Sequence, residues 1–202
     1  MKRLGIYFFF DKDGIVDKYI DYVLEDLTKH VDKLIVVCNG QLNERGRKTF
    51  EKFTGNIIVR ENKGFDVWAY KTAIDSEGWN KLIEYDEIIL MNYTIMGPVY
   101  PLKEMFDIMD KRLELDFWGI TKCFQENSPV AQQIWQCPYG YIPEHIQSSF
   151  MAFRRSIVSS TIFQKYWDEM PMIKSYYESG GSHEQYITKY FSDNGYRWDC
   201  YT

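Results

Sequence analysis

Short, almost wholly apolar runs alternate in this chain with stretches whose apolar positions recur every three or four residues. Leu4 to Phe10 is such a run and stops at Asp11-Lys12-Asp13-Gly14, which predicts a buried strand. Tyr19, Ile20, Val23, Leu24, Leu27 and Val31 then repeat at helical spacing, one apolar face of a helix lying on a sheet. Leu34 to Cys38 predicts a second strand ending in Asn39-Gly40. Asn43 to Phe53 predicts a weaker helix, and Asn56 to Val59 a third strand. The helix that opens at Asp66 carries Trp68, Ala69, Thr72 and Ala73, with Leu82 and Ile83 in a later turn. Glu87 to Met91 is the fourth strand. This alternation predicts a parallel sheet with right-handed crossovers.

Beyond Gly97-Pro98 the pattern changes. Leu102, Met105, Phe106, Met109 and Leu113 mark a helix, and Phe117 to Ile120 a short strand. Cys123 to Glu144 shows no period and holds three prolines, the character of a functional loop or lid. Gln147 to Phe153 alternates as a strand. Two helices follow, Thr161 to Met170 and His183 to Ser192, split by Ser179-Gly180-Gly181-Ser182, and Tyr196 to Tyr201 is a last strand. The expectation is one α/β domain, a mostly parallel sheet flanked by helices with a mixed second half. The chain ends directly after a strand, which fits a piece of a longer natural polypeptide.

Two predicted strands end abruptly in polar residues, the third at Arg60-Glu61-Asn62-Lys63-Gly64 and the fourth at Asn92-Tyr93-Thr94. Open α/β sheets bind ligands at the carboxyl ends of their strands, so both ends point to one polar crevice. The net charge of −5 and the lack of a Lys/Arg cluster speak against nucleic acid as a partner. Four scattered cysteines and three histidines form no zinc pattern and fit free thiols in a reducing compartment. The apolar stretch behind Met1-Lys2-Arg3 is too short for an export signal, and no run is long enough to span a bilayer. The expected location is the cytoplasm, with peripheral attachment at the inner face of the membrane left open.

Four blocks occur in a fixed order: Asn62-Lys63-Gly64-Phe65-Asp66 through Tyr70, Met91-Asn92-Tyr93-Thr94 with Gly97-Pro98, Asp116 through Thr121, and His145 through Phe150. Together they resemble the rhamnan synthesis protein F family, glycosyltransferase-A-fold proteins of bacterial polysaccharide assembly, over about Leu4 to Tyr201. The resemblance implies a nucleotide-sugar half up to about residue 98 and an acceptor half from about residue 99. It implies an inverting rhamnosyltransferase that uses dTDP-L-rhamnose as donor, with a growing polysaccharide or lipid-linked oligosaccharide as acceptor. The chain departs from the family at Tyr93, where an acidic residue is usual. A non-catalytic nucleotide-sugar- or carbohydrate-binding module within a larger synthesis complex is therefore the alternative.

Sugar transfer needs a pocket for base and ribose, a cation against the leaving diphosphate, and a base for the acceptor hydroxyl. Asn39, Asn62, Gly64, Asp66, Asn92 and Thr94 are the donor-site candidates. For Asp66, stabilisation of a helix N-terminus is an equal explanation, and for Asn39-Gly40 a simple turn is. Glu184, by analogy with the late loop of inverting transferases, is the candidate base, with His145 and Asp116 as further catalytic candidates. Placement of Glu184 in a first helical turn after a Ser cap explains it without catalysis. Trp118 and Gln147 are candidates for sugar contact, Trp118 having a buried strand as its alternative. No metal is expected in the donor-free protein. Weak, donor-dependent Mg²⁺ or Mn²⁺ binding through Asp66 and Asn92 is expected instead, with Arg60 or Lys63 as cationic substitutes.

Overall fold

The computed structural model describes residues 1–202. Strands β1 (Arg3–Phe10), β2 (Lys33–Asn39), β3 (Ile57–Arg60) and β4 (Glu87–Asn92) pair in parallel in the order β3-β2-β1-β4. Helices α1 (Lys18–Leu27), α2 (Glu44–Glu51) and α3 (Phe65–Glu77) connect them, and α4 (Trp79–Leu82) is a single turn before β4. The second half adds α5 (Leu102–Met109), β5 (Phe117–Gly119), the β6 (Lys122–Cys123)–β7 (His145–Ile146) pair, α6 (Pro129–Trp135) and β8 (Phe150–Arg154). It closes with α7 (Arg155–Val158), α8 (Thr161–Asp168), α9 (Tyr176–Ser179), α10 (Gln185–Asp193) and β9 (Trp198–Cys200). The seven-stranded sheet reads β3-β2-β1-β4-β8-β5-β9, and β8 runs against the other six. The α/β class with a mixed second half is the one the hydrophobic pattern predicts.

Apolar residues on successive strand positions pack on opposite faces, and both faces are covered. Leu4, Ile6, Ile35, Val37, Ile88 and Leu90 meet α3, α8 and α10 on one face. Tyr7, Phe9, Leu34, Val36, Ile89 and Met91 meet α1, α5 and Phe50 of α2 on the other. The connection through α3 leaves edge strand β3 and returns to β4 beside β1. The chain thus reverses its direction of winding between β1 and β4, and a crevice opens at their carboxyl ends.

Below the sheet centre lies a buried charge. Glu87, at the start of β4, is fully buried and accepts from Arg3 Nε at 2.8 Å and from Trp118 Nε1 at 2.8 Å. Arg154 Nε lies 3.5 Å from its second oxygen. The Arg154 guanidinium also donates to the carbonyls of Met109 (2.5 Å) and Arg112 (2.6 Å). The same carbonyls accept from Arg112 N and Leu115 N at 3.1 Å in three-residue turns, and α5 stops at Met109 rather than continuing to Leu113, which is exposed.

Three further expectations change. The strand predicted from Gln147 to Phe153 begins only at Phe150, as β8, after the separate short strand β7. Between them Gln147 donates its N–H to Thr121 O, Ser148 to the Glu184 carboxylate, and Ser149 O accepts from Asn92 N. The segment from Cys123 to Glu144 contains α6, started by Ser128 and Pro129, with Glu126 bridging Ile142. Ser179 to Ser182 does not separate helices: Gly180–Glu184 forms a π-turn running into α10.

Removing the charge of Glu87 leaves two buried guanidinium groups facing a neutral side chain. Glu87→Gln is expected to cost about 3–5 kcal/mol in urea unfolding, whereas Glu114→Gln, an exposed ion-pair partner of Arg112, should change stability by less than about 1 kcal/mol.

Candidate active site

At the β1/β4 switch a cleft of 430 Å³ opens, lined by sixteen residues. Phe8 and Phe10 come from β1, and Asn92, Tyr93 and Thr94 from the end of β4. Asn62, Phe65 and Asp66 come from the entry to α3. The rest of the lining is Gln147, Ser148 and Ser149 between β7 and β8, with Trp135, Tyr176, Ser179, Gly180 and Glu184. The two carboxylates facing this space are Asp66 and Glu184, and none of the lining residues is Lys or Arg.

Asp66 is fixed from three sides. Its Oδ1 accepts from its neighbour's N–H at Val67 (3.0 Å) and faces the Ser179 hydroxyl at 3.4 Å, while Asn92 Nδ2 approaches Oδ2 at 3.4 Å. Burial, aided by the charge of Glu184, holds this carboxyl above its ordinary pKa against the opposing hydrogen bonds from Asn92 and Val67. Gly64 makes the approach feasible. It caps α3 in the left-handed region at φ 76°, and a Cβ there would lie 2.4 Å from the Trp68 ring.

Glu184 ends the π-turn, an irregularity that often occurs at functional sites, and not a Ser-capped first turn as the sequence predicts. Its Oε2 accepts from the Ser148 N–H at 2.9 Å and from the Ser148 hydroxyl. Both bonds fall on one oxygen, and the other remains available to the cleft. The turn needs its glycine pair, because Trp135 packs directly on it. A Cβ on Gly180 would lie 2.3 Å from the Trp135 ring, and one on Gly181 only 1.8 Å from the Trp135 carbonyl oxygen.

Several sequence candidates lie elsewhere. Asp116 sits at the amino end of β5, the far edge of the sheet from the cleft, where it accepts from Arg197 N (2.8 Å) and the Ser156 hydroxyl (2.6 Å). Trp118 is fully buried against Glu87 and cannot meet a sugar. His145 is buried, with Nδ1 2.7 Å from Pro143 O, outside the cleft lining. Asn39 is buried too. It donates to Phe65 O (3.0 Å) and accepts from Arg60 (2.7 Å), tying β2 to the α3 entry loop. Arg60 also donates to Lys63 O at 2.9 Å, and Lys63 pairs with Glu61, so neither cation reaches the cleft. Gly64 borders a neighbouring hollow with Lys63 and Lys174 and shapes the site through backbone alone.

Asn62, Asp66, Asn92, Thr94, Gln147 and Glu184 are brought together. The cleft also recruits Phe8, Phe10, Trp135, Ser148, Ser149, Tyr176 and Ser179, which the sequence reading does not single out. Of these, Trp135 and Ser179 border the Gly-Gly pair, whose lack of side chains was the available signal of a close approach. Tyr93 does two things: its ring packs edge-on against Phe8 (5.7 Å) and Phe9 (5.8 Å) and also lines the cleft.

A hard divalent ion takes one or two carboxylates beside phosphate oxygens. Asp66 offers one such carboxylate with a diphosphate present, and no group of three His, Cys, Asp or Glu side chains is gathered anywhere. Asn92 does not fit as a ligand in this arrangement, since its carbonyl oxygen accepts from Thr94 N (3.1 Å) and the Thr94 hydroxyl while its amide faces Asp66. Of the expected Asp66–Asn92 ligand pair, only Asp66 keeps an oxygen facing the cleft for such a role.

The family model of rhamnan synthesis protein F matches residues 34–202. The chain belongs to the rhamnan synthesis protein F family. A curated relative, the uncharacterized protein y4gN of Sinorhizobium fredii (strain NBRC 101917 / NGR234), is 23% identical over 150 residues, covering 74% of this chain and 35% of its own length. The chain thus spans about a third of that relative. Solved structures of glucosyl-3-phosphoglycerate synthase from Mycobacterium tuberculosis align over 77% of this chain and 57% of theirs. The complex with UDP is 12% identical, and that with Mn²⁺, UDP-glucose and phosphoglyceric acid 13%, each with a TM-score of 0.47.

Asp66 is raised above its reference value of 3.8 in the fold. Its contribution to stability is therefore fully present below that reference and is lost as pH rises through the higher folded value. Asp66→Asn should raise the melting temperature at pH 7, and the gain should vanish below pH 3.8. A variant less stable than the parent at pH 7 would contradict the burial of this carboxyl.

Proposed function

We propose that this domain is a glycosyltransferase of cell-surface polysaccharide synthesis, an inverting rhamnosyltransferase taking dTDP-L-rhamnose as donor. The observation that carries the reading is the pairing of Asp66 and Glu184 across one cleft at the sheet's switch point. Family membership supports it. The domain would act in the cytoplasm, at the inner membrane face where a lipid-linked acceptor is held. No helix is long and apolar enough to cross a membrane.

The donor nucleotide lies over the Asn62–Asp66 entry, its diphosphate toward the N-terminus of α3, whose unpaired amides and dipole favour negative charge. Mg²⁺ or Mn²⁺ held with the donor by Asp66 would neutralise the leaving diphosphate, which no Lys or Arg of the lining meets. Asn92 orients Asp66, and Thr94 orients Asn92. The free oxygen of Glu184 takes the proton of an acceptor hydroxyl, whose oxygen attacks the anomeric carbon from the face opposite the diphosphate. The new C–O bond forms as the bond to phosphate breaks, the nucleoside diphosphate departs, and a β-linked donor gives an α-L-rhamnosyl product. Ser148, donating to Glu184 twice, keeps the carboxylate aimed.

Tyr93, where the family usually has an acidic residue, favours a second reading, a module that binds nucleotide-sugar without turning it over. Calorimetry across a panel of nucleotide-sugars, paired with an assay of nucleoside diphosphate release, separates the two. Glu184→Gln should keep donor affinity within about twofold and lower turnover by about 10²–10⁴. Binding without release in the unaltered protein supports the module, and no binding of any nucleotide-sugar at millimolar concentration removes both readings.

A further inference from the structure

The mouth of the cleft carries an aromatic surface that the donor chemistry does not use. The Trp135 ring stands 5.7 Å from the Tyr176 ring and 5.6 Å from that of Tyr177, and the two tyrosines lie 5.8 Å apart. Trp135 and Tyr176 line the cleft itself. Tyr176 is 66% exposed and Tyr177 55%. Trp135 is half-buried, held by the close approach of Gly180 and Gly181 described above.

Fold stability does not explain this cluster. No residue of α6 or α9 is buried, so these rings take little part in the core, and exposed aromatic clusters beside a cleft mark contact surfaces. Their surroundings set the ligand's chemistry. Gln147, Ser148, Ser149 and Ser179 border the rings within the same cleft and offer neutral hydrogen-bonding groups. Flat rings rimmed by neutral amides and hydroxyls suit a pyranose, whose C–H face packs on an aromatic ring while its hydroxyls find partners at the edge. The position sets the ligand's role. The turn on which Trp135 rests ends at Glu184, and Ser179, which closes the helix bearing Tyr176, faces Asp66 at 3.4 Å.

We propose that Trp135 and Tyr176 form the acceptor platform, stacking the terminal sugar of the acceptor glycan and presenting its hydroxyl to Glu184. The proposal draws on the transferase reading and extends it by placing the neutral glycan on these rings and the nucleotide over the Asn62–Asp66 entry. The Gly180-Gly181 pair is then a positioning device, which lets the ring settle onto the turn that bears the base.

Calorimetry with two probes tests it, a rhamnose trisaccharide in one set of titrations and dTDP and UDP in another. Tyr176→Ala, at an exposed position, and Trp135→Leu, which keeps apolar bulk without the π face, should each weaken the trisaccharide about fivefold. The nucleoside diphosphates should bind both variants within about twofold of the parent. Unchanged trisaccharide affinity in both variants overturns the platform, as does failure of the trisaccharide to bind the unaltered protein at millimolar concentration. Loss of nucleotide rather than trisaccharide assigns the rings to the base and overturns it equally. If the trisaccharide binds in a ring-dependent way and no nucleotide binds, the platform holds and the transferase reading fails.

Discussion

The central strands are held in register by one buried carboxylate. Glu87 on β4 meets Arg3 on β1, Trp118 on β5 and Arg154 on β8, so the strands that make the middle of the sheet share a single charged centre. A carboxylate with no exposure survives there only because guanidinium and indole donors surround it. The arrangement is specific in a way that apolar packing is not. A slip of β4 by one residue would turn Glu87 to the other face and leave two arginines without their partner. With that register set, the polar ends of β1 and β4 arrive side by side at the other edge, and the cleft follows.

The cleft reverses the logic of the charged centre. Below the sheet, charge is matched and buried to hold the fold. Above it, Asp66 and Glu184 face one space without a Lys or Arg among the lining residues, and burial penalises the ionised form of Asp66. An unmatched carboxylate pair is costly to the folded protein, and such costs gather where a ligand supplies the missing charge. The surrounding bonds are correspondingly weak at Asp66, with side-chain contacts at 3.4 Å from Asn92 and Ser179, and firm at Glu184, where Ser148 supplies two donors. This difference matches a group that meets an incoming ligand at Asp66 and a group held ready at Glu184.

The parallel half of the fold was legible in the sequence because apolar runs and helical periods there coincide with the elements. Leu4 to Phe10 and Glu87 to Met91 read as strands and are strands. The second half was less so, since its boundaries are set by long-range side-chain bonds. Arg154 ties down the turns that follow α5, and Glu184 and Thr121 hold Gln147 and Ser148 out of β8. The site divided along the same line. Asp66, Asn92 and Glu184 follow strand ends or helix starts, and the topology brings them together. Asp116, Trp118 and His145 sit beside elements with the right residue types, but their strands point them at the core or at the opposite edge. Trp135 and Tyr176 lie far apart in sequence and meet only through the Gly180 turn, so no local pattern announced them.

The central claim is that the β1/β4 cleft receives the nucleotide with its diphosphate between the α3 entry and Asp66. A crystal structure of the protein grown with dTDP and Mn²⁺ tests it most directly. The account predicts the diphosphate beside Asp66 and the nucleobase toward Asn62 and Phe65. A nucleotide bound elsewhere on the molecule, or in the cleft with its phosphates turned away from Asp66, would contradict it.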